Sequence, residues 1–390
     1  MKLLLITDLY PKYPGQSRIE ESYAIHDLIS ASKDKMEIAV VRPVIIKNPF
    51  SILKYRKILN FNLDGVRVFN CPVFKIPKLP VFFIRNIFKC LDSIKLEPEV
   101  VSAHLGFNLQ IGYMISLKLD IPLISGIHMG DLHYTWKMTG MKKFRKIIEH
   151  SIGIACRSPL IKKEFSNRFP EFQDKVFTAN SGINSNYLLK NEQILKKAGQ
   201  WIGDANVVKR IVSASRLDKN KNIDKILYAL SGINKKIKWK YTIAGEGIER
   251  RRLERLAEKL GIKDKVEFTG LISHEKVLEL FENSHVFIMI SNIETFGMAF
   301  LEAMAKGNIV IGSKNTGIDG FIENNKNGFI IDPNLEGELT TVLNRIFLNR
   351  SLNELKTILL NSFNKISRTT DKISSENYFN NIKKAYMQKK

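Results

Sequence analysis

The stretch Glu294-Thr-Phe-Gly-Met-Ala-Phe-Leu-Glu302 decides how the second half of this chain is read. Before it lies an apolar run, residues 286–290, with the length and flanks of a buried strand. After it comes Ala-Met-Ala-Lys-Gly307, a helix that stops on a glycine, and then a second apolar run at 309–312. The unit is strand, turn, helix, strand. Met298, Leu301 and Met304/Ala305 recur at helical spacing and form a packed face. Glu294 lies in the turn and Glu302 inside the helix, where packing alone would not choose an acid. The helix from Gly297 to Glu302 rises about 7–8 Å. Two carboxylates can therefore line one site at different depths, with free backbone N–H groups between them. A polyhydroxylated ligand carrying a phosphate fits that pattern, and a pair of solvated glutamates on a surface helix is the bland alternative.

Working outward, the 390 residues suit two domains of ordinary size with ample core. Three scattered cysteines, Cys71, Cys90 and Cys156, form no metal spacing, and their odd number argues against a disulfide framework. A reducing cytoplasm is the expected setting. No apolar run reaches the length of a membrane span, and the opening Met-Lys-Leu-Leu-Leu-Ile-Thr-Asp8 reads as a strand rather than a signal peptide. Net charge is +22, and residues 42–95 hold eleven Lys/Arg against two acids. Such a surface attracts anionic lipid, anionic substrate or nucleic acid. No zinc spacing or RNA-binding signature supports the last.

The first half also alternates strand and helix. A strand at 2–7, a loop containing Gly15, a helix at 17–32 and a strand at 37–41 open a doubly wound α/β domain. Loops after strand C-termini carry the chemistry in such sheets, which places Gly15 where a ligand could approach. Residues 76–91 mix aromatics with Arg85 and Lys89, and could form an amphipathic helix lying in a membrane interface, with Phe82, Phe83, Ile87 and Leu91 on one side. Strands at 100–104 and 122–128 each end in a histidine, His104 and His128. Gly130 and Asp131 follow His128 and point to a site there. Residues 185–205 lose periodicity and read as a linker.

The second half carries four features in order. Arg216 and Lys221 follow a strand, placed to grip a diphosphate from two sides. Ala244-Gly-Glu-Gly247 is a glycine turn after the next strand, allowing close backbone approach at Gly245 and Gly247. Val266-Glu-Phe-Thr-Gly270 follows, and then the paired-glutamate unit with Asn315-Thr-Gly317 behind it.

This ordered set resembles the retaining glycosyltransferases of family 4, over nearly the whole chain. The resemblance implies the GT-B fold, two Rossmann-like doubly wound α/β domains facing each other across a cleft. The first spans 1–190, with 370–390 packing back on it, 191–205 forms the linker, and 206–369 binds the nucleotide sugar. It implies that Glu294 contacts the donor sugar and Glu302 the ribose. Arg216 and Lys221 would hold the diphosphate, with Phe296, Gly297, Met298 and Ala299 at the positive helix end. Gly245, Gly247 and Gly15 would border the donor, His128 would face the sugar, and Asp131 would lie on the acceptor side. The expected reaction moves a hexose or N-acetylhexosamine from a UDP- or GDP-linked donor to a lipid-linked or oligosaccharide acceptor. Configuration is retained, with no metal and no cofactor. The expected setting is bacterial surface polysaccharide synthesis (lipopolysaccharide or capsule), on the inner face of the plasma membrane. No nucleic-acid partner is expected. A nucleotide-sugar epimerase or a non-catalytic scaffold on the same fold are the alternatives. The chain departs from the family at Gln16, Asn222, Asn308 and Thr316, where glycine or proline is usual.

Overall fold

The computed structural model describes residues 1–16, 23–32, 35–46, 60–75, 82–83, 85–94, 96–135, 140–202, 204 and 206–389. The chain forms two compact units, Met1–Gly182 with Asp371–Lys390, and Ile183–Thr370.

The first unit is built on strands β1 (Lys2–Ile6), β2 (Glu37–Ile46), β3 (Phe61–Leu63), β4 (Val66–Lys75), β5 (Phe82–Phe83), β6 (Val100–His104), β7 (Leu123–Ile127), β8 (Ser151–Cys156) and β9 (Val176–Thr178). Their order is β3-β4-β2-β1-β6-β7-β8-β9, with β5 pairing β4. The pairings are parallel except those of β3 and β5 against β4. Both faces are covered, which is why the strands read as continuous apolar runs. Leu4 and Ile6 enter one core cluster while Leu3 and Leu5 enter the other. All four are fully buried, each worth about 1.5–3 kcal/mol of transfer free energy. The closing helix, Asp371–Lys389, adds Tyr378, Phe379 and Ile382 to the cluster of Leu3 and Leu5.

The second unit holds β10 (Lys209–Ala214), β11 (Trp239–Ala244), β12 (Val266–Gly270), β13 (Val286–Ile288), β14 (Ile309–Ser313) and β15 (Phe329–Ile331), in the all-parallel order β12-β11-β10-β13-β14-β15. Strand order reverses between β10 and β13. The loops leaving those two strands flank the switch point, where ligands bind in open α/β sheets. In the first unit the reversal falls between β1 and β6.

Three expectations are corrected. Residues 191–205 are not a linker: Asn191–Trp201 is a helix of the second unit, with Ile194, Ala198 and Trp201 buried. Its apolar residues are few and widely spaced, and Lys196, Lys197 and Gly199 mask the period. Cys71 of β4 and Cys90 of helix Arg85–Ile94 are joined in a disulfide, because that helix folds back beside β4; Cys156 is free and buried. The same helix does not present its apolar side outward. Ile87 is fully buried, and Phe88 and Leu91 pack against the core, while Arg85 and Lys89 are exposed. Residues 76–81 and 84 of the expected amphipathic segment, and 17–22 of the expected first helix, lie outside the described residues.

Candidate active site

In the second unit the loop after β10 is tied to its neighbour by backbone. Ser215 N–H donates to Ala244 O at 3.0 Å and Leu217 N–H to Glu246 O at 2.9 Å. Gly245 and Gly247 serve this contact. A Cβ at Gly245 would stand 1.9 Å from Ser215 O, and one at Gly247 2.2 Å from Leu217 O. The close approach inferred for these glycines is therefore made to the chain itself.

The loop then turns at Asn222, which adopts the left-handed conformation with φ 51°. Asparagine tolerates that region better than other side-chain-bearing residues, and here it replaces glycine with a gain. Its Nδ2 donates to Ile290 O at 2.7 Å and to Asn292 Oδ1 at 2.8 Å. Asn220 closes the second half of this zip: its backbone O accepts from Asn292 N–H at 2.8 Å, its Oδ1 accepts from Ile293 N–H at 2.9 Å and its Nδ2 donates to Ile293 O at 2.9 Å. The loops after β10 and β13 are thus held side by side, which brings Lys221 Nζ to 2.7 Å from Glu294 Oε2. These side chains are 16% and 19% exposed, so the pair is shielded yet reachable. Arg216 is on the same loop, exposed, and its guanidinium has no partner among the described residues.

Behind Glu294, Gly297 has φ 82° and starts helix Met298–Ala305. No side chain caps it, so the Met298 and Ala299 N–H groups present its positive end. Phe296 precedes this helix end. Its ring is buried and packs edge-on to Phe321 at 5.2 Å, because the turn points it into the core. Glu302 Oε1 lies 3.0 Å from His274 Nε2, and Tyr187 stands edge-on to that imidazole at 5.5 Å. The two glutamates are thus held by different partners, Lys221 and His274. Gly317 was quoted only as part of a motif. Its N–H donates to Glu294 O at 2.7 Å, and a Cβ there would meet Thr295 O.

In the first unit, His128 follows β7 and is 5% exposed. Burial, followed by the neighbouring His104 ring and the charge of Arg157, lowers its pKa well below the usual value, so the ring is neutral at pH 7. Asp131, expected on the acceptor side, is fully buried. Its Oδ2 accepts from His128 N–H at 2.8 Å and its Oδ1 from Gly106 N–H at 2.7 Å. It locks the His128 turn to the Leu105–Gly106 turn, where both residues have positive φ. His104 is fully buried rather than facing outward. Gly15 is exposed with φ 78°, in a loop held by Gln16 Oε1 accepting from Lys12 N–H at 2.7 Å.

The two parallel-sheet α/β units define the GT-B architecture. Solved structures share it across the chain. HepE of Anabaena, solved with UDP, superposes with a TM-score of 0.71 over 98% of this chain and 100% of its own, at 17% identity. Sucrose-phosphate synthase of Thermosynechococcus elongatus gives 0.73 over 99% of both chains at 15% identity.

Residues 203–359, within the second unit, match the model of the family described as glycosyl transferases group 1. Among its relatives, an alpha-monoglucosyldiacylglycerol synthase of Streptococcus pneumoniae is 25% identical over 81% of this chain and 74% of its own length. An uncharacterized glycosyltransferase of Methanocaldococcus jannaschii is 29% identical over 70% of this chain and 73% of its own.

Proposed function

We propose that this group 1 glycosyltransferase moves a hexose or N-acetylhexosamine from a uridine or guanosine diphosphate sugar to a lipid-linked or saccharide acceptor, retaining the anomeric configuration and using no metal. The reading rests on the Lys221–Glu294 pair, 2.7 Å apart at the switch point of the second sheet. Lys221, Arg216 and the open end of helix Met298–Ala305 form a cationic seat for a diphosphate. As the sugar–phosphate bond breaks, negative charge grows on that leaving group, and the seat holds it more tightly in the transition state than before. When the diphosphate draws Lys221, the Glu294 carboxylate turns to the sugar hydroxyls. Glu302, steadied by His274, takes the ribose. The acceptor attacks on the face the phosphate leaves, and the departing phosphate oxygen takes the acceptor's proton.

Uridine is favoured by the UDP and UDP-glucose complexes of HepE. A lipid acceptor is favoured by the two relatives named alpha-monoglucosyldiacylglycerol synthase, from Streptococcus pneumoniae and Acholeplasma laidlawii. Among the described residues no helix is long and apolar enough to cross a membrane. We place the enzyme peripherally on the inner membrane face, in surface glycan synthesis. The exposed Lys142, Lys143, Arg145 and Lys146 of helix Met141–His150 would meet anionic lipid there.

Lys221→Ala should lower turnover with UDP-glucose by about 100-fold or more while the thermal transition stays cooperative. Near-normal turnover in that variant would overturn the assignment.

A further inference from the structure

Beneath His128 runs a buried chain of polar groups that the reaction scheme above does not use. His128 Nε2 lies 3.4 Å from His104 Nδ1, the long end of hydrogen-bond range. On the other side of that ring, His104 Nε2 lies 3.0 Å from Tyr378 Oη and 3.2 Å from Ser102 Oγ. Ser102 Oγ and Tyr378 Oη are 2.7 Å apart. Room for the His104 ring is made by Gly126 on the adjacent strand, where a Cβ would stand 2.1 Å from His104 Nδ1. Arg157, directly after β8, is buried with one guanidinium nitrogen on Ser181 Oγ and Nη1 without a partner among the described residues. Burial lowers its pKa to about 10, so it stays charged at pH 7.

The proton positions follow from donor and acceptor chemistry. Burial first, and then Arg157, lowers the His104 pKa to about 3. Both imidazoles are therefore neutral, and between Nδ1 of one and Nε2 of the other a single proton is shared. Tyr378 fixes which ring holds it. Its phenol is pushed up to about 12 by burial and keeps its proton. Either oxygen of the Ser102–Tyr378 pair can donate; with Ser102 Oγ donating to Tyr378 Oη, the phenol hydrogen goes to His104 Nε2. His104 Nε2 is then the acceptor and Nδ1 carries the hydrogen. His128 Nε2 accepts that hydrogen, and the proton of His128 resides on Nδ1, which has no partner among the described residues. The charged and titratable groups facing the pair are Arg157, Tyr378 and Asp131, and Asp131 accepts from backbone N–H of Gly106 and His128.

We propose that His104 and Tyr378 are positioning residues that hold His128 in the Nδ1–H tautomer, so that it offers the transferred sugar a neutral N–H donor. A neutral donor orients a hydroxyl without placing a second positive charge beside an oxocarbenium-like centre. The inference rests on the expectation, carried by the family resemblance, that His128 faces the sugar.

The test is nitrogen-resolved NMR of the full chain labelled with 15N-histidine, without ligand. His128 should show a protonated-type shift at Nδ1 and an unprotonated type at Nε2, unchanged from pH 8 to pH 5. Tyr378→Phe should mix the two tautomers. An Nε2–H pattern in the unsubstituted protein, titration of His128 near its ordinary value of 6.5, or an unaltered pattern in Tyr378→Phe would each overturn the proposal. The first two measurements need no substitution and so do not depend on a variant folding. Turnover of UDP-glucose by His128→Asn reads the other assignment. Loss of turnover supports His128 at the sugar. Full turnover beside the expected NMR pattern overturns that role alone and leaves the relay standing.

Discussion

At the scale of residues, the second unit separates its two acids by partner. Glu294 faces an ammonium that a diphosphate can draw away, whereas Glu302 faces an imidazole that steadies it. Glu302→Gln keeps size and removes charge, so it should weaken UDP binding by about tenfold, the weight of one charge-assisted hydrogen bond. Calorimetry that returned an unchanged UDP affinity would remove Glu302 from the ribose. The acids and cations were legible in the sequence because they sit at fixed spacings after apolar runs. Their partners were not. His274 meets Glu302 across 28 residues, and Tyr378 meets His104 across 274. No local pattern encodes a contact made only when distant segments pack. The partners of Asp131 were hidden for the same reason: an acid after a strand end looks the same whether it faces a ligand or two backbone N–H groups.

At the scale of elements, most of the parallel strands were readable as apolar runs within a residue or two of their observed ends, but β2 runs five residues past the strand read at 37–41 and the ten-residue β4 was not read. Strands β3 and β5 have three and two residues and leave too little pattern to read. Helix Asn191–Trp201 was hidden by its polar composition. Glycines test the difference between shape and site. Gly247→Ala forces a methyl into Leu217 O and should cost about 1–3 kcal/mol, shifting the loop that carries Lys221. Gly199 has nothing within 4 Å of its notional Cβ and lies in helix Asn191–Trp201. Gly199→Ala should therefore be neutral or stabilising by up to about 1 kcal/mol. Thermal melts, with UDP affinity measured alongside, check both. Equal melting shifts for the two would contradict the packing described for Gly247.

At the scale of the whole molecule, buried histidines set its response to acid. His104 and His285 have pKa values lowered from 6.5 to about 3, burial being the main cause for each, and His128 is lowered as well. The unfolded chain therefore binds more protons than the folded one between those values. Stability is fully present above about pH 6.5 and falls as pH drops towards 3, by about 2 kcal/mol at pH 5 for each of His104 and His285. Urea midpoints at pH 7.5 and pH 5 should differ accordingly, and equal midpoints would refute it.

The closing helix draws the first unit together from two distant parts of the chain. That unit is built from Met1–Gly182 and Asp371–Lys390, whereas the second is one unbroken stretch, Ile183–Thr370. During synthesis the strands of the first unit emerge early, yet one face of its sheet waits for Tyr378, Phe379 and Ile382. The residue proposed to set the proton on His128 is therefore translated only after the whole second unit. A chain cleaved between the second unit and this helix would retain every group assigned to the donor and lack Tyr378. Such a product is expected to bind a nucleotide sugar yet transfer it poorly, so binding alone would not report an intact site.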